Sequence, residues 1–145
     1  MLSKMEENFN RIIIPVDNTE SSKIAVKKGV FFAKLLGIDV KIITVNDTHQ
    51  FISSVVLEDK LKKEAEAFLQ EFKKIGEEFG IKLETQLIIG KPAEEIVKFA
   101  KENDLIIMAH HDKIKGLDKF MVSSISMDVV QNAPCSVLIL KSDQS

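Results

Sequence analysis

Short apolar runs alternate along this chain with longer segments whose apolar residues recur every three or four positions. The first run contains Ile12, Ile13 and Ile14 without a polar interruption, which is typical of a strand buried on both faces. The segment after it repeats apolar residues at helical spacing, and the same alternation continues to the end of the chain. Five strands are therefore predicted, at residues 11–16, 40–45, 81–87, 105–108 and 136–140.

Capping residues and glycines mark the ends of the four intervening helices. Thr19 closes a polar cluster that predicts a helix start, and Gly37 predicts the end of that helix. A second helix is predicted from Leu57 to a stop at Gly80, a third begins near Pro92, and a fourth spans residues 123–131. The buried face of the first helix is expected to consist of Ala25, Gly29, Phe32, Ala33 and Leu36.

Strands separated by helices need crossover connections, which enforce a parallel sheet with helices on both faces. The predicted fold is a single doubly wound α/β sandwich around a five-stranded parallel sheet. A polar extension (1–10) precedes the domain (11–141), a short tail (142–145) follows it, and 49–56 is expected to be a mobile connection. The third strand alternates apolar with polar residues, as a strand near a sheet edge does. Ligands of such sheets bind beyond the carboxyl ends of the strands, so the candidate loops are 17–22, 45–49 and 109–124.

Composition excludes several classes of function. The chain contains nine Phe but no Trp and no Tyr, so tyrosine chemistry and indole stacking are absent. A net charge of -2, from 20 basic and 22 acidic residues, provides no positive field for a nucleic acid. Neither a signal peptide nor a membrane-spanning segment is recognisable, so we expect a cytoplasmic protein with no membrane partner. The single cysteine, Cys135, lies among apolar residues and is expected to be an unreactive core thiol.

Four segments, in order, resemble the universal stress protein family. The turn after the first strand, Pro15-Val16-Asp17-Asn18-Thr19-Glu20-Ser21-Ser22, is similar to that family's Asp-x-Ser/Thr segment. Further likenesses lie in Gly90-Lys91-Pro92-Ala93-Glu94-Glu95-Ile96, in the fourth strand Asp104-Leu105-Ile106-Ile107-Met108-Ala109, and in Asn132-Ala133-Pro134-Cys135-Ser136-Val137-Leu138-Ile139. The resemblance implies a Rossmann-like fold of the adenine nucleotide alpha hydrolase type.

Nucleotide-binding members of that family continue the fourth strand into Gly-x2-Gly-x9-Gly-Ser/Thr. Glycines there let backbone N–H groups approach phosphate oxygens, and the hydroxyl adds a donor at a helix start. This chain instead has Ala109-His110-His111-Asp112 and, after ten intervening residues instead of nine, Ser123-Ser124. The Asp112 carboxylate would repel a phosphate, although nearby lysines could compensate. The pattern is closer to the universal stress protein A branch, which lacks the glycines and is taken not to bind ATP.

The resemblance also supplies a set of candidate crevice residues. Asp17 either faces an adenine or ribose or acts as a helix N-cap, and one carboxylate can serve both roles. Val45, Met108 and Ile125 match nucleotide-contacting positions, yet each also fits the pattern of ordinary core. The complete candidate set is Asp17, Val45, Met108, Ala109, His110, Asp112, Ser123, Ser124 and Ile125.

A metal site is not expected from the histidines. His110 and His111 are adjacent in sequence, so on an extended segment their side chains point to opposite faces. Asp112, Asp47 and His49 are further potential ligands, but no His-x3-His or Cys-x2-Cys spacing occurs. No nucleophile–base pair or carboxylate pair for catalysis can be located by spacing either.

The resulting hypothesis is a non-enzymatic cytoplasmic stress-response protein with a degenerate nucleotide crevice and no cofactor. The resemblance implies a homodimer that pairs through the last strand, whose apolar residues are Val137, Leu138, Ile139 and Leu140. The alternative hypothesis is a protein that binds ATP or AMP with Mg²⁺ and hydrolyses ATP slowly at most. No protein partner is indicated beyond a second copy.

Overall fold

The computed structural model describes residues 8–47, 55–111 and 124–142. The strands are β1 (Arg11–Pro15), β2 (Asp39–Asn46), β3 (Leu83–Ile89), β4 (Asp104–His111) and β5 (Ser136–Ser142). The helices are α1 (Glu20–Leu36), α2 (Val55–Glu78), α3 (Pro92–Phe99) and α4 (Ser124–Asn132). The predicted alternation of strands and helices is therefore confirmed.

All five strands are parallel and lie in the order β3-β2-β1-β4-β5. The chain winds from β1 to β3 in one direction, returns to β4 beside β1, and then winds outward in the other direction. The two edge strands are β3, as its alternating pattern predicted, and β5, as the family resemblance implied. The winding direction changes between β1 and β4, which places the ligand crevice of this fold type at the carboxyl ends of those two strands.

Successive residues of β1 belong to opposite layers of the core. Ile12 and Ile14 pack with α1 and α2, whereas Ile13 packs with α3 and α4. All three are fully buried, because a parallel sheet with helices on both faces has no solvated side at its centre. Gly29 of α1 permits this close packing, since a Cβ at that position would lie 2.4 Å from Ile14 Cδ1.

Both ends of α1 follow the sequence signals. The Thr19 hydroxyl accepts a hydrogen bond from the backbone N–H of Ser22 at 3.3 Å, so Thr19 is the N-cap. Gly37 has a φ of 68°, and its N–H donates to the carbonyl of Ala33 at 2.8 Å. A residue without a Cβ takes this left-handed conformation at least cost.

Some predicted boundaries and burial assignments were wrong. β3 begins at Leu83 instead of 81, because the N–H of Ile81 bonds to the carbonyl of Gly76 and thus completes the end of α2. Leu36, expected on the buried face of α1, is 51% exposed because it is the last residue of the helix. Of the predicted mobile segment 49–56, residues 49–54 lie outside the described part of the chain, and residues 55 and 56 open α2.

A buried ion pair joins β1 to β4 at the amino-terminal edge of the sheet. Arg11 Nε lies 2.9 Å from Asp104 Oδ1, and Arg11 Nη2 lies 3.1 Å from Asp104 Oδ2. The guanidinium also donates to the carbonyl of Phe99 at 3.2 Å and lies 4.8 Å from the centre of the Phe99 ring. The N–H of Lys101 donates to the same carboxylate at 2.7 Å. We call this set, Arg11, Phe99, Lys101 and Asp104, the amino-edge clamp.

None of the helices in the described segments combines the length and the apolar character that crossing a lipid bilayer demands.

Candidate functional site

The crevice opens where β1 and β4 stop pairing. Their ladder runs from Arg11 and Asp104 to Ile13 and Ile106, whereas β4 continues to His111. Beyond this point β1 pairs with β2 alone, up to Pro15 and Ile43, and the chain then turns into α1. The carboxyl ends of the two central strands are thus separated, as at the switch point of a doubly wound sheet.

Asp17 lies on the β1 side of this crevice and is held by its own turn. Its Oδ1 accepts a short hydrogen bond from the Thr19 hydroxyl and a second, at 2.9 Å, from the Ser22 hydroxyl. The backbone N–H of Asp17 in turn donates to Ser22 Oγ at 2.8 Å. The carboxylate is exposed, and its Oδ2 has no hydrogen-bond partner among the described residues.

These bonds correct one of the two predicted roles of Asp17. The N-cap of α1 is Thr19, and Asp17 orients the hydroxyls of the capping turn through a single oxygen. Ser22, which is buried, lies in the candidate loop 17–22 but was not among the candidate site residues. The spacing Thr19-x-x-Ser22 was a usable signal, because side chains three apart at a helix start reach each other's backbone. Among the described residues, none bonds to the second carboxylate oxygen of Asp17.

The apolar candidates divide into core and surface. Met108 is 7% exposed, and Val45 is half-buried against the same α3–α4 side of the core. Ala109 is half-buried against the α1–α2 side. The prediction that Ile125 is ordinary core was wrong: on α4 its side chain is 40% exposed, because Ser126 and Val129 supply the inward-facing positions of that helix.

The remaining candidates surround the loop between β4 and α4. The backbone of His110 lies in β4, where it pairs with Lys141, and Ser124 is the first residue of α4. Asp112, Ser123 and the loop lysines lie outside the described residues. The structure thus brings Asp17, Ala109 and the start of α4 to the carboxyl edge of the sheet.

β4 remains regular strand where the family resemblance places the first glycine turn. Ala109 pairs with Leu140, and the ladder with β5 continues through His111 and Ser142. No non-glycine residue in the described ranges has a positive φ, so Ala109 tolerates its methyl group without strain. The backbone of this segment is therefore extended, and alternate residues bond to β5.

Two other predicted features concern metal ligands and the thiol. Across 8–47, 55–111 and 124–142, no cluster of three or more His, Cys, Asp or Glu side chains is arranged to hold a metal ion.

Cys135 is half-buried at the edge of the α3–α4 layer, not fully buried as expected, because it lies just before the edge strand β5. Burial, and then the negative charge of Asp104, raise the pKa of its thiol, while a hydrogen bond with the Ile106 backbone acts in the opposite direction. A raised pKa agrees with the predicted lack of reactivity.

Comparison with known proteins connects this architecture to one family. The sequence model of the Universal stress protein family matches residues 8–141. Universal stress protein MJ0531 of Methanocaldococcus jannaschii is 35% identical over 144 residues, covering 94% of this chain and 84% of that protein. The solved structure of hypothetical protein MJ0577 matches with a TM-score of 0.79 at 32% identity, covering 94% of this chain and 99% of that one.

Two further solved structures of the same fold contain adenine nucleotides. A universal stress protein in complex with cAMP matches with a TM-score of 0.73 at 18% identity, covering 94% of this chain and 99% of that chain. The universal stress protein of Archaeoglobus fulgidus in complex with dAMP matches with a TM-score of 0.70 at 22% identity, covering 92% and 98%. At these identities the likeness concerns the fold.

Proposed function

This chain belongs to the universal stress protein family, and we propose that it is a non-enzymatic stress-response protein whose nucleotide crevice is degenerate. On this proposal its output comes from contacts with other protein molecules. The crevice is a remnant of the family's ligand site and does not hold a triphosphate. The resemblance to the A branch of the family points in the same direction.

The observation that carries the proposal is the continuation of β4 through Ala109 and His111. Phosphate loops bind an anion because successive backbone N–H groups turn towards one point. In this chain the corresponding backbone is paired strand, bonded to β5 as far as Ser142. Along an extended strand successive N–H groups point alternately towards β5 and away from it, so they do not converge on one phosphate, and the first half of a phosphate cradle is missing.

Titration calorimetry with ATP and Mg²⁺ tests this proposal. We expect no saturable heat at micromolar protein concentration. A micromolar Kd that disappears in Asp17→Ala, with the circular dichroism spectrum unchanged, would overturn it. The matched control is Asp39→Ala, because Asp39 is also an exposed aspartate but lies at the opposite edge of the sheet.

The lack of Trp and Tyr provides an independent optical test. Purified protein should absorb weakly at 280 nm and only slightly at 260 nm, because its aromatic residues are nine Phe. A 260 nm band that survives nuclease treatment and gel filtration, and that separates from the protein on denaturation, would reveal a co-purified nucleotide. That result would count against the degenerate crevice.

A second candidate function is binding of AMP or ATP, with Mg²⁺ for the latter and at most slow hydrolysis. It is favoured by the Asp17 carboxylate at the switch point, whose Oδ1 is held by two hydroxyl groups and whose Oδ2 has no partner in the described part of the chain. The complexes of two proteins of the same fold with cAMP and with dAMP support this candidate. A carboxylate oxygen accepts hydrogen bonds from ribose hydroxyls or from an adenine amino group.

Separate titrations with AMP and with ATP distinguish the two candidates. AMP binding in the micromolar range that is lost in Asp17→Asn would favour the second function, because asparagine keeps an acceptor for Thr19 and Ser22 but has no charge. Equal AMP affinities in Asp17→Asn and in the parent chain would exclude the assigned role of this carboxylate. No binding of either nucleotide supports the first function.

We propose in addition that the protein is a homodimer joined through β5. This strand lies at the sheet edge, and Val137, Leu138, Ile139 and Leu140 are all half-buried in the isolated chain. An edge with apolar residues and unpaired backbone groups gains stability when another strand covers it. Analytical ultracentrifugation should give twice the mass of one chain, and a monomer at high micromolar concentration would contradict the proposal.

A further inference from the structure

The outer face of α1 carries large apolar side chains that the fold leaves uncovered. Phe31 is 54% exposed and Leu35 is 67% exposed, although both are large and apolar. Phe31 and Leu35 are four residues apart and therefore adjacent on one side of the helix. Exposed apolar groups that are contiguous on a surface mark a site of interaction.

Lysines border these side chains. α1 contains four lysines and one glutamate, although the chain as a whole carries a net charge of -2. Lys23 is paired with Glu20 at 3.2 Å, and Lys34 Nζ donates to the carbonyl of Phe79 at 3.2 Å. Lys27 and Lys28, one turn before Phe31, are exposed and have no ion-pair partner among the described residues. The region is thus apolar at its centre and positive at its margin.

We propose that this surface, formed by Lys27, Lys28, Phe31 and Leu35, docks the protein on an anionic lipid bilayer. We call it the α1 docking face. Apolar side chains on a helix surface enter the boundary between headgroups and acyl chains, while adjacent lysines meet lipid phosphates. The sequence-based expectation of no membrane partner rested on the lack of a spanning segment, and a peripheral face does not need one.

Charge and shape favour a bilayer over other occupants. A second copy placed symmetrically on this face would offer Lys27 and Lys28 no opposite charge, because the same face carries no carboxylate. The inner side of α1 is packed on the sheet through Ala25, Gly29 and Ala33, so its outer side is convex and offers no groove to a peptide. An anionic lipid bilayer matches both parts of this surface, because its acyl chains accept the apolar side chains and its phosphates meet the lysines.

A single tryptophan provides the readout, because the chain contains no Trp and no Tyr. Phe31→Trp places the fluorophore in the α1 docking face. Ile89→Trp is the matched control, since Ile89 is a 56% exposed apolar residue on the distant edge strand β3. With vesicles of phosphatidylcholine and phosphatidylglycerol, the emission of Phe31→Trp should shift to the blue, and that of Ile89→Trp should not. Vesicles of phosphatidylcholine alone should give little shift.

Charge variants then test the lysines. Each lysine near an anionic surface contributes about a five-fold gain in partitioning, so Lys27→Gln with Lys28→Gln should weaken vesicle binding about 25-fold. The control, Lys60→Gln with Lys62→Gln, changes two exposed lysines of α2 and should have little effect. Added salt should weaken binding as well, because it screens the attraction.

Leu35→Ser gives a second apolar test at an exposed position where the fold is not at risk, and it should also reduce binding. The proposal is overturned if Phe31→Trp does not shift with anionic vesicles, or if Ile89→Trp shifts equally. It is also overturned if the α1 variants change the mass of the protein in solution, because the face would then be an interface between copies. Binding to an acidic peptide without binding to vesicles would likewise refute it.

Discussion

Replacing Arg11 by methionine removes the positive side of the amino-edge clamp and leaves the negative side buried. The Asp104 side chain is 4% exposed, and it then retains one described donor, the N–H of Lys101 at 2.7 Å. Methionine conserves much of the aliphatic volume of arginine. The decrease in the free energy of unfolding should therefore reflect mainly the buried Asp104 carboxylate, which has lost its partner.

The expected cost follows from burial and geometry. Removing one partner of a buried ion pair costs about 3–5 kcal/mol, because the remaining charge is not compensated. Arg11 is itself 26% exposed, so water enters the gap, and we expect the lower end of that range, about 3 kcal/mol. At this chain length such a loss lowers the Tm by about 10 °C. Arg11→Lys should cost about 1 kcal/mol, since it keeps the charge but loses the paired bonds and the contact with the Phe99 ring.

Urea unfolding followed by far-ultraviolet circular dichroism is the suitable assay, because the chain has no Trp to report by fluorescence. The matched control is Lys41→Met, which breaks the cross-strand pair between Lys41 and Glu84 at 3.4 Å. In that pair Glu84 is 65% exposed, so its loss should cost less than about 1 kcal/mol. The double variant Arg11→Met/Asp104→Asn should recover most of the stability, because the uncompensated charge is gone.

Equal costs for Arg11→Met and Lys41→Met, both below about 1 kcal/mol, would refute this reasoning. So would a double variant no more stable than Arg11→Met alone. Either result would mean that Asp104 finds water or another donor once the guanidinium is removed. The burial of that carboxylate would then have no energetic consequence.

Three further outcomes are expected. Asp17→Ala should lower the free energy of unfolding by about 1 kcal/mol, while Asp17→Asn should lower it by less, because asparagine still accepts from the two hydroxyls of the turn; urea titration measures both. Gly37→Ala should cost about 1 kcal/mol, since an L-residue is strained at a φ of 68°, and thermal unfolding should show Gly37→Asn less affected. Burial raises the pKa of Cys135 above the ordinary value of 9.0, so the native thiol keeps its proton after the unfolded thiol has lost it. Stability should therefore fall as the pH rises through 9.0, and iodoacetamide should modify the folded chain more slowly than the urea-unfolded chain across that range.

Local periodicity predicted the fold, because in a doubly wound sheet each element has its own pattern of burial. A central strand such as β1 must be apolar throughout, and a surface helix must be apolar on one side. The start of β3 was predicted two residues too early. Ile81 is apolar for a different reason: it follows Gly80, and its N–H bonds to the carbonyl of Gly76 at the end of α2. The spacing of apolar residues indicates which side chains are buried, but it does not distinguish a strand residue from a residue at a helix terminus.

The candidate site was predictable in its position and not in its bonding. The end of β1 had to lie at the switch point, so Asp17 was placed correctly by topology. Its bond to the Ser22 hydroxyl depends on how the first turn of α1 folds back, which no apolar pattern encodes. The predicted buried face of α1 contained Phe32 and not Phe31, but the sequence pattern does not tell whether another element covers Phe31, which is 54% exposed.

The amino-edge clamp and the crevice lie at opposite ends of the strand pair β1–β4. The ladder between β1 and β4 begins beside the Arg11–Asp104 ion pair and ends at Ile13 and Ile106. Long-range contacts that fix the relative position of the two strands therefore lie at the amino-terminal edge, distant from Asp17. The carboxyl edge can then diverge, and its residues can change, with small effects on stability. This separation explains how a chain can replace the glycines of its family's ligand loop and still keep the fold. If the two ends are separate in this way, Asp17→Ala must cost less stability than Arg11→Met. Both residues are charged; Arg11 is the first residue of β1, and Asp17 follows the strand.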